Sequence, residues 1–246
     1  MIIQDYSEQI ENFDNYLKSK LASIDAISGD NNVLFKKILY VSFLDALSSC
    51  IYPGRKNKER FVAMLERFSK WKDRDRVSLP HLGKFVHNSS DPLFEQARRY
   101  VTPKLKEWKE RSSHVISISD DPKFGEIQNI ISWKANKETD IKVSLADFKH
   151  IQLLYQLRNA LVHQFQSRGD EIGKQRQLDH PFYQVVQILD QTPKLKPLRI
   201  ELIYPTQFLK GLSEETLKNV VDYLNDGNIN PFPHYYAGDY WVRELN

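Results

Sequence analysis

The chain has 246 residues, of which 41% are apolar and 27% charged, with a net charge of +3. That length and apolar share can build a real core and exclude a disordered chain, while a single cysteine, Cys50, excludes an intramolecular disulfide and a thiolate metal cluster. No stretch approaches the roughly 18 uninterrupted apolar residues of a membrane span, and the start MIIQDYSEQIENF lacks the basic head, apolar run and cleavage site of a leader, so the expectation is a soluble cytoplasmic protein with no membrane partner.

Residues 4–27 and 31–51 predict two helices separated by SGDNN, whose Asp and Asn suit both a turn and a helix start. The second, VLFKKILYVSFLDALSSCI, is apolar almost all round and is expected at the centre of a bundle. YPGRKN breaks it, and KERFVAMLERFSKW resumes a helical period. VSLPHLGKFVHNSSDP reads as a loop before a helix at 93–110, VISISD alternates like a short strand, and NKETD is turn-like. A helix is expected over 144–166. SRGDEIGKQRQLDHP reads as a polar loop, and FYQVVQIL and LRIELIYP as strands able to pair as a hairpin across QTPKLK. SEETLKNVVDYL reads as a helix capped by Ser213, and the tail PFPHYYAGDYW as a segment that packs over a core. The expected fold is mainly α: a helical core over 1–166, and an extension over 167–246 that carries a small β-hairpin and the last helix, packed on the same domain.

Charge is unevenly spread. Residues 53–111 hold 16 Lys and Arg against eight acids, whereas the flanking segments are each slightly acidic. Arg55, Lys56, Lys58 and Arg60 open this basic block and are candidate contacts for RNA phosphates; a solvated helix face is the alternative.

The helix over 144–166 raises the sharpest question. At about 100° per residue, Ile151, Leu154, Tyr155, Leu161, Val162 and Phe165 all point within roughly 60° of Arg158, which puts an arginine in the middle of the apolar stripe. A buried guanidinium needs an anion from the fold or from a ligand. Asp45 lies on the line Leu34, Ile38, Val41 of the most apolar helix and needs a partner for the same reason, so the two are expected to pair. Another face of the 144–166 helix carries Gln152, Gln156, Asn159 and His163 as one row. His163 points about 140° away from Arg158 and lies roughly 7.5 Å further along the axis. The two side chains therefore meet only if Arg158 bends toward the helix end or a second copy completes the site.

Arg158-Asn159-Ala160-Leu161-Val162-His163 resembles the R-N-x-x-x-H signature of the HEPN superfamily, helical domains in which an Arg and a His near the end of one helix form a composite ribonuclease site across a homodimer. Spacing alone is weak, because Arg76 to His81 fits it too; there Pro80 precedes the histidine and no Asn follows the arginine. The resemblance implies a metal-independent endoribonuclease with no cofactor. His163 would move a proton, Arg158 would stabilise the transition-state charge, Asn159 would orient the phosphate or the imidazole, and Asp45 would hold Arg158. The products would be a 2′,3′-cyclic phosphate and a 5′-hydroxyl. It further implies a toxin or defence role, with a cognate antitoxin as a possible partner.

Two bland alternatives stand beside this one. Arg158 and Asp45 form a purely structural pair, with His163 an ordinary helix-end histidine; or the chain is a catalytically silent helical module that binds an RNA or protein partner. The other histidines show no metal-ligand spacing, and no P-loop, G-x-G-x-x-G or G-x-S-x-G is present.

Overall fold

The computed structural model describes residues 4–111, 113–131, 133, 142–166, 178–186 and 198–234. The chain is mainly helical with a small antiparallel sheet, and it divides into two compact units: residues 1–70 with 209–246, and residues 71–208. The sequence suggested a core over 1–166 and an extension over 167–246, and the second unit spans that boundary.

The first unit begins with α1 (Ser7–Asp25), α2 (Asn32–Ile51) and α3 (Asn57–Phe68). α1 buries Ile10, Phe13, Leu17, Leu21 and Ile24, one stripe at helical spacing. α2 packs against both α1 and α3, the central place its all-round apolar character predicts. Cys50, near its end, is buried, and burial pushes the thiol up to about 12, so it offers no thiolate for chemistry.

The second unit starts with α4 (Leu79–His87), inside the stretch expected to be loop. Ser78 caps it by accepting from the His81 N–H at 3.5 Å, and Pro80 falls in the first turn, where a missing N–H costs nothing. α5 (Glu95–Glu110) follows a short 3-10 turn. It crosses α4 at Gly83, where a Cβ would come within 2.6 Å of Leu105. Next come β1 (Val115–Ser117), α6 (Phe124–Gln128) and a 3-10 turn at Leu145–Phe148, and then α7 (His150–Gln164), β2 (Phe182–Val186) and β3 (Arg199–Ile203). β2 pairs with β3 in the expected hairpin, with Phe182 opposite Ile203 and Val186 opposite Arg199. β1 adds a third strand on the other side of β2, with Ile116 opposite Tyr183. Phe85, Phe94, Trp133 and Phe148 form an aromatic cluster with ring centroids 5.0–6.4 Å apart.

α8 (Thr206–Gly227), whose residues from Leu209 onward belong to the first unit, starts well before the position expected. Ser213 is therefore no cap. It is buried within the helix, with its hydroxyl donating to the Leu209 carbonyl at 2.8 Å. The apolar period runs back through Leu212, Leu209 and Phe208, and this outweighs the cap-like Ser-Glu-Glu. The turn expected at NKETD, most of the polar loop after residue 166, the connection QTPKLK and the aromatic tail beyond residue 234 lie outside the described residues.

Candidate functional site

Neighbouring backbone fixes the start of α7. The 3-10 turn ends at Lys149, whose ψ of 145° breaks the longer helix predicted from residue 144. The N–H groups of His150 and Ile151, orphans of a first helical turn, donate to the carbonyls of Arg76 and Arg74 at 3.0 Å each. The far end of α7 is closed by Phe165 in the left-handed region, φ 51° and ψ 33°, with the N–H groups of Phe165 and Gln166 directed at the Ala160 carbonyl.

Arg158 is 8% exposed, as its place on the apolar stripe requires, and its flanking stripe residues Ile151, Leu154, Tyr155 and Leu161 are buried. Phe165 departs from the stripe. The helix stops at Gln164, the left-handed residue turns the chain, and the ring ends 64% exposed.

Arg158 and His163 meet within one helix. Arg158 Nη1 lies 3.0 Å from Asn159 Oδ1 and 3.3 Å from His163 Nε2. Ideal angles separate the two residues, but the arginine stem is long enough to run along the helix to its end. A guanidinium can only donate, so Nε2 is the unprotonated nitrogen in this contact and the ring proton sits on Nδ1. The two hydrogens of Nη1 serve one acceptor each. Asn159 thus orients the arginine, a role distinct from the contacts to phosphate or imidazole that the motif implies. His163 itself is exposed. The cluster therefore presents a cationic donor and a lone-pair nitrogen side by side at the open end of a helix.

Asp45 belongs to the first unit and Arg158 to the second, so the pairing expected between them is a matter for a double-mutant cycle. Within its own unit, Asp45 faces Arg60 at 3.8 Å, with both side chains largely covered. Of the other expected phosphate contacts, Arg55 is exposed and lies over the Tyr52 ring, Lys56 is exposed just before α3, and Lys58 is half-buried in its first turn.

A buried polar cluster in the second unit has no counterpart in the sequence reading. Asp121 Oδ1 accepts from the Leu79 N–H at 3.0 Å, and Oδ2 accepts from His150 Nε2 at 2.8 Å and from the Tyr183 hydroxyl at 2.5 Å. Tyr183 has one phenolic proton, and the carboxylate claims it. Ser78 Oγ, 2.7 Å from the same phenol, must then donate to it, and accepts from His81 Nδ1 at 2.8 Å. Tyr204 closes the cluster on the His150 carbonyl at 3.1 Å. Burial, with the Asp121 carboxylate next in effect, holds the phenols of Tyr183 and Tyr204 well above the ordinary range. Ser78, Asp121, His150, Tyr183 and Tyr204 are sealed from solvent, with His81 exposed at the edge; the cluster ties α4, α7 and β2 together.

Two cavities lie elsewhere. One of about 640 Å³ runs between α1 and α8, lined by Asp14, Leu21, Asp25, Leu217 and Asp222 among others; another of about 490 Å³ is lined by Lys72, Arg76, Lys123, Phe124 and Lys149 among others. Neither includes Arg158 or His163. Among the described residues no group of three or more His, Cys, Asp or Glu is placed to hold a metal ion, and no helix is long and apolar enough to cross a membrane. No family model, curated protein or solved structure matches the chain. Its own residues carry the functional reading.

Proposed function

We propose that the chain is an endoribonuclease of HEPN type, working as a homodimer in the cytoplasm in a toxin or anti-phage role, with a cognate antitoxin as its restraint. The observation that supports this reading is the convergence of Arg158, Asn159 and His163 at the exposed end of α7, with Nε2 placed to accept from the guanidinium. An RNA phosphate is a stronger acceptor for Arg158 than a neutral imidazole. On binding, Nη1 passes from Nε2 to a phosphate oxygen and leaves the nitrogen lone pair free. His163 Nε2 then takes the proton of the 2′-hydroxyl, O2′ forms its bond to phosphorus, and the bond from phosphorus to O5′ breaks. The leaving O5′ takes up a proton, from a second His163 across the dimer or from water, and a 2′,3′-cyclic phosphate remains. Arg158 holds the charge that builds on the phosphoryl oxygens, so this route asks nothing of a metal ion.

The test is cleavage of mixed RNA by purified protein in EDTA, beside His163→Ala, with the new ends analysed for cyclic phosphate. Undiminished cleavage by His163→Ala removes this reading. One observation favours the competing reading, a silent module that binds RNA or protein: in the chain as it stands, the Nε2 lone pair is already satisfied by Arg158. Binding without turnover, unaffected by His163→Ala, is its signature.

A further inference from the structure

We propose that Phe165 is the base-stacking residue of this site, taking the face of a nucleobase next to the phosphate held by Arg158 and so restricting the substrate to single-stranded RNA; this rests on the reading that the α7 cluster binds RNA. Two costs at Phe165 go unrepaid among the described residues. The left-handed backbone, φ 51°, disfavours a residue with a Cβ, and glycine is the usual occupant of this helix-ending position. The ring is also 64% exposed, so burial does not offset that strain. The fold alone would be served as well or better by glycine.

The surroundings identify what the ring meets. Phe165 stands two residues beyond His163, so their Cα atoms are at most about 7.6 Å apart. On one side, a guanidinium that can only donate suits an anionic phosphate; on the other, an apolar ring face suits the one apolar face a nucleotide has. A donor for phosphate and a face for a base at the same helix end suit the two parts of one nucleotide. A base inside a duplex has both faces covered by its neighbours, so only an unpaired base can use the ring. Stacking of this kind tolerates any base, which makes Phe165 a determinant of strandedness more than of sequence.

The experiment measures binding, independent of turnover. The probe is a single-stranded RNA of about twelve nucleotides in mixed sequence, 2′-O-methylated so that the attacking hydroxyl is absent, alongside an abasic strand of the same charge. Phe165→Gly should weaken binding of the base-bearing strand about 5- to 150-fold, the range for losing one stacked base. It should leave the abasic strand unchanged and should not lower the melting temperature. Phe165→Trp should restore binding, with its fluorescence quenched on adding RNA. Equal affinity of Phe165→Gly and parent for the base-bearing strand overturns the inference while leaving the ribonuclease reading intact. If the parent binds neither strand, the ribonuclease reading falls and takes this one with it. If Phe165→Gly converts a dimer to a monomer, the ring belongs to an interface between copies, and the inference is wrong.

Discussion

The guanidinium of Arg158 reaches the Nε2 of His163, 3.3 Å away and five residues later on the same helix. The contact joins a buried cation to an exposed imidazole, so the two residues carry separable burdens. His163 bears little of the fold. His163→Ala should abolish RNA cleavage, a loss on the order of 10²-fold or more for a proton-transfer group, while lowering the melting temperature by no more than about a few degrees, because one hydrogen of Arg158 Nη1 loses its acceptor at the exposed helix end. Cleavage rate and thermal melting on the same preparation check both halves.

Arg158 should fail on both counts. It is buried on the apolar stripe and donates to Asn159 and His163, so Arg158→Ala should lose activity together with about 1–3 kcal/mol of stability. Arg158→Lys keeps a cation but loses the planar group that serves two acceptors from one nitrogen; stability should recover in part and activity should not. A fully active Arg158→Lys would show that positive charge alone suffices, against the geometry argued for the cluster.

Much of this site was legible in sequence because it follows helical periodicity. The stripe that runs through Ile151, Leu154 and Leu161 exposes Arg158 as an anomaly whatever the tertiary fold. The direct Arg158–His163 contact was harder to foresee, since ideal angles describe Cα–Cβ directions and a guanidinium lies several bonds beyond. Phe165 was expected on the stripe, but a left-handed residue ended the helix first, and nothing local marked it because glycine is the usual signal. α4 was missed because Leu-Pro was read as a break, when a preceding Ser makes it a helix start. The Asp121 cluster was invisible for another reason: its members lie 29, 42 and 62 residues apart from Asp121, and no local pattern joins them.

That cluster should matter for stability. In Asp121→Asn one carboxylate oxygen becomes an amide nitrogen that donates. If the nitrogen takes the Oδ2 position it faces two donors, His150 Nε2 and the Tyr183 hydroxyl; if the amide turns, it faces the Leu79 N–H. Either way a sealed donor is left without its acceptor. The expected loss is about 3–5 kcal/mol, a fall on the order of ten degrees in melting temperature. A melting temperature unchanged in Asp121→Asn would mean that the cluster does not hold the second unit together.

The same cluster predicts how stability responds to alkali. Burial and the neighbouring carboxylate keep the Tyr183 phenol protonated in the folded chain well above the ordinary phenol range, whereas the unfolded chain releases that proton near pH 10. Above that pH the unfolded state binds fewer protons than the folded state, so stability falls as pH rises; below it, the phenol contributes no slope. Each such phenol should contribute about 1.4 kcal/mol per pH unit above pH 10. Tyr183→Phe should start less stable at neutral pH, because Asp121 loses a donor and Ser78 an acceptor. Its stability should then decline less steeply than the parent's between pH 10 and higher pH, by one proton's worth of slope. Tyr204, also held well above the ordinary range, remains in both proteins and cancels in the comparison. Denaturant unfolding of parent and Tyr183→Phe at stepped alkaline pH supplies the two slopes, and parallel curves would mean that the Tyr183 phenol reaches solvent in the folded state.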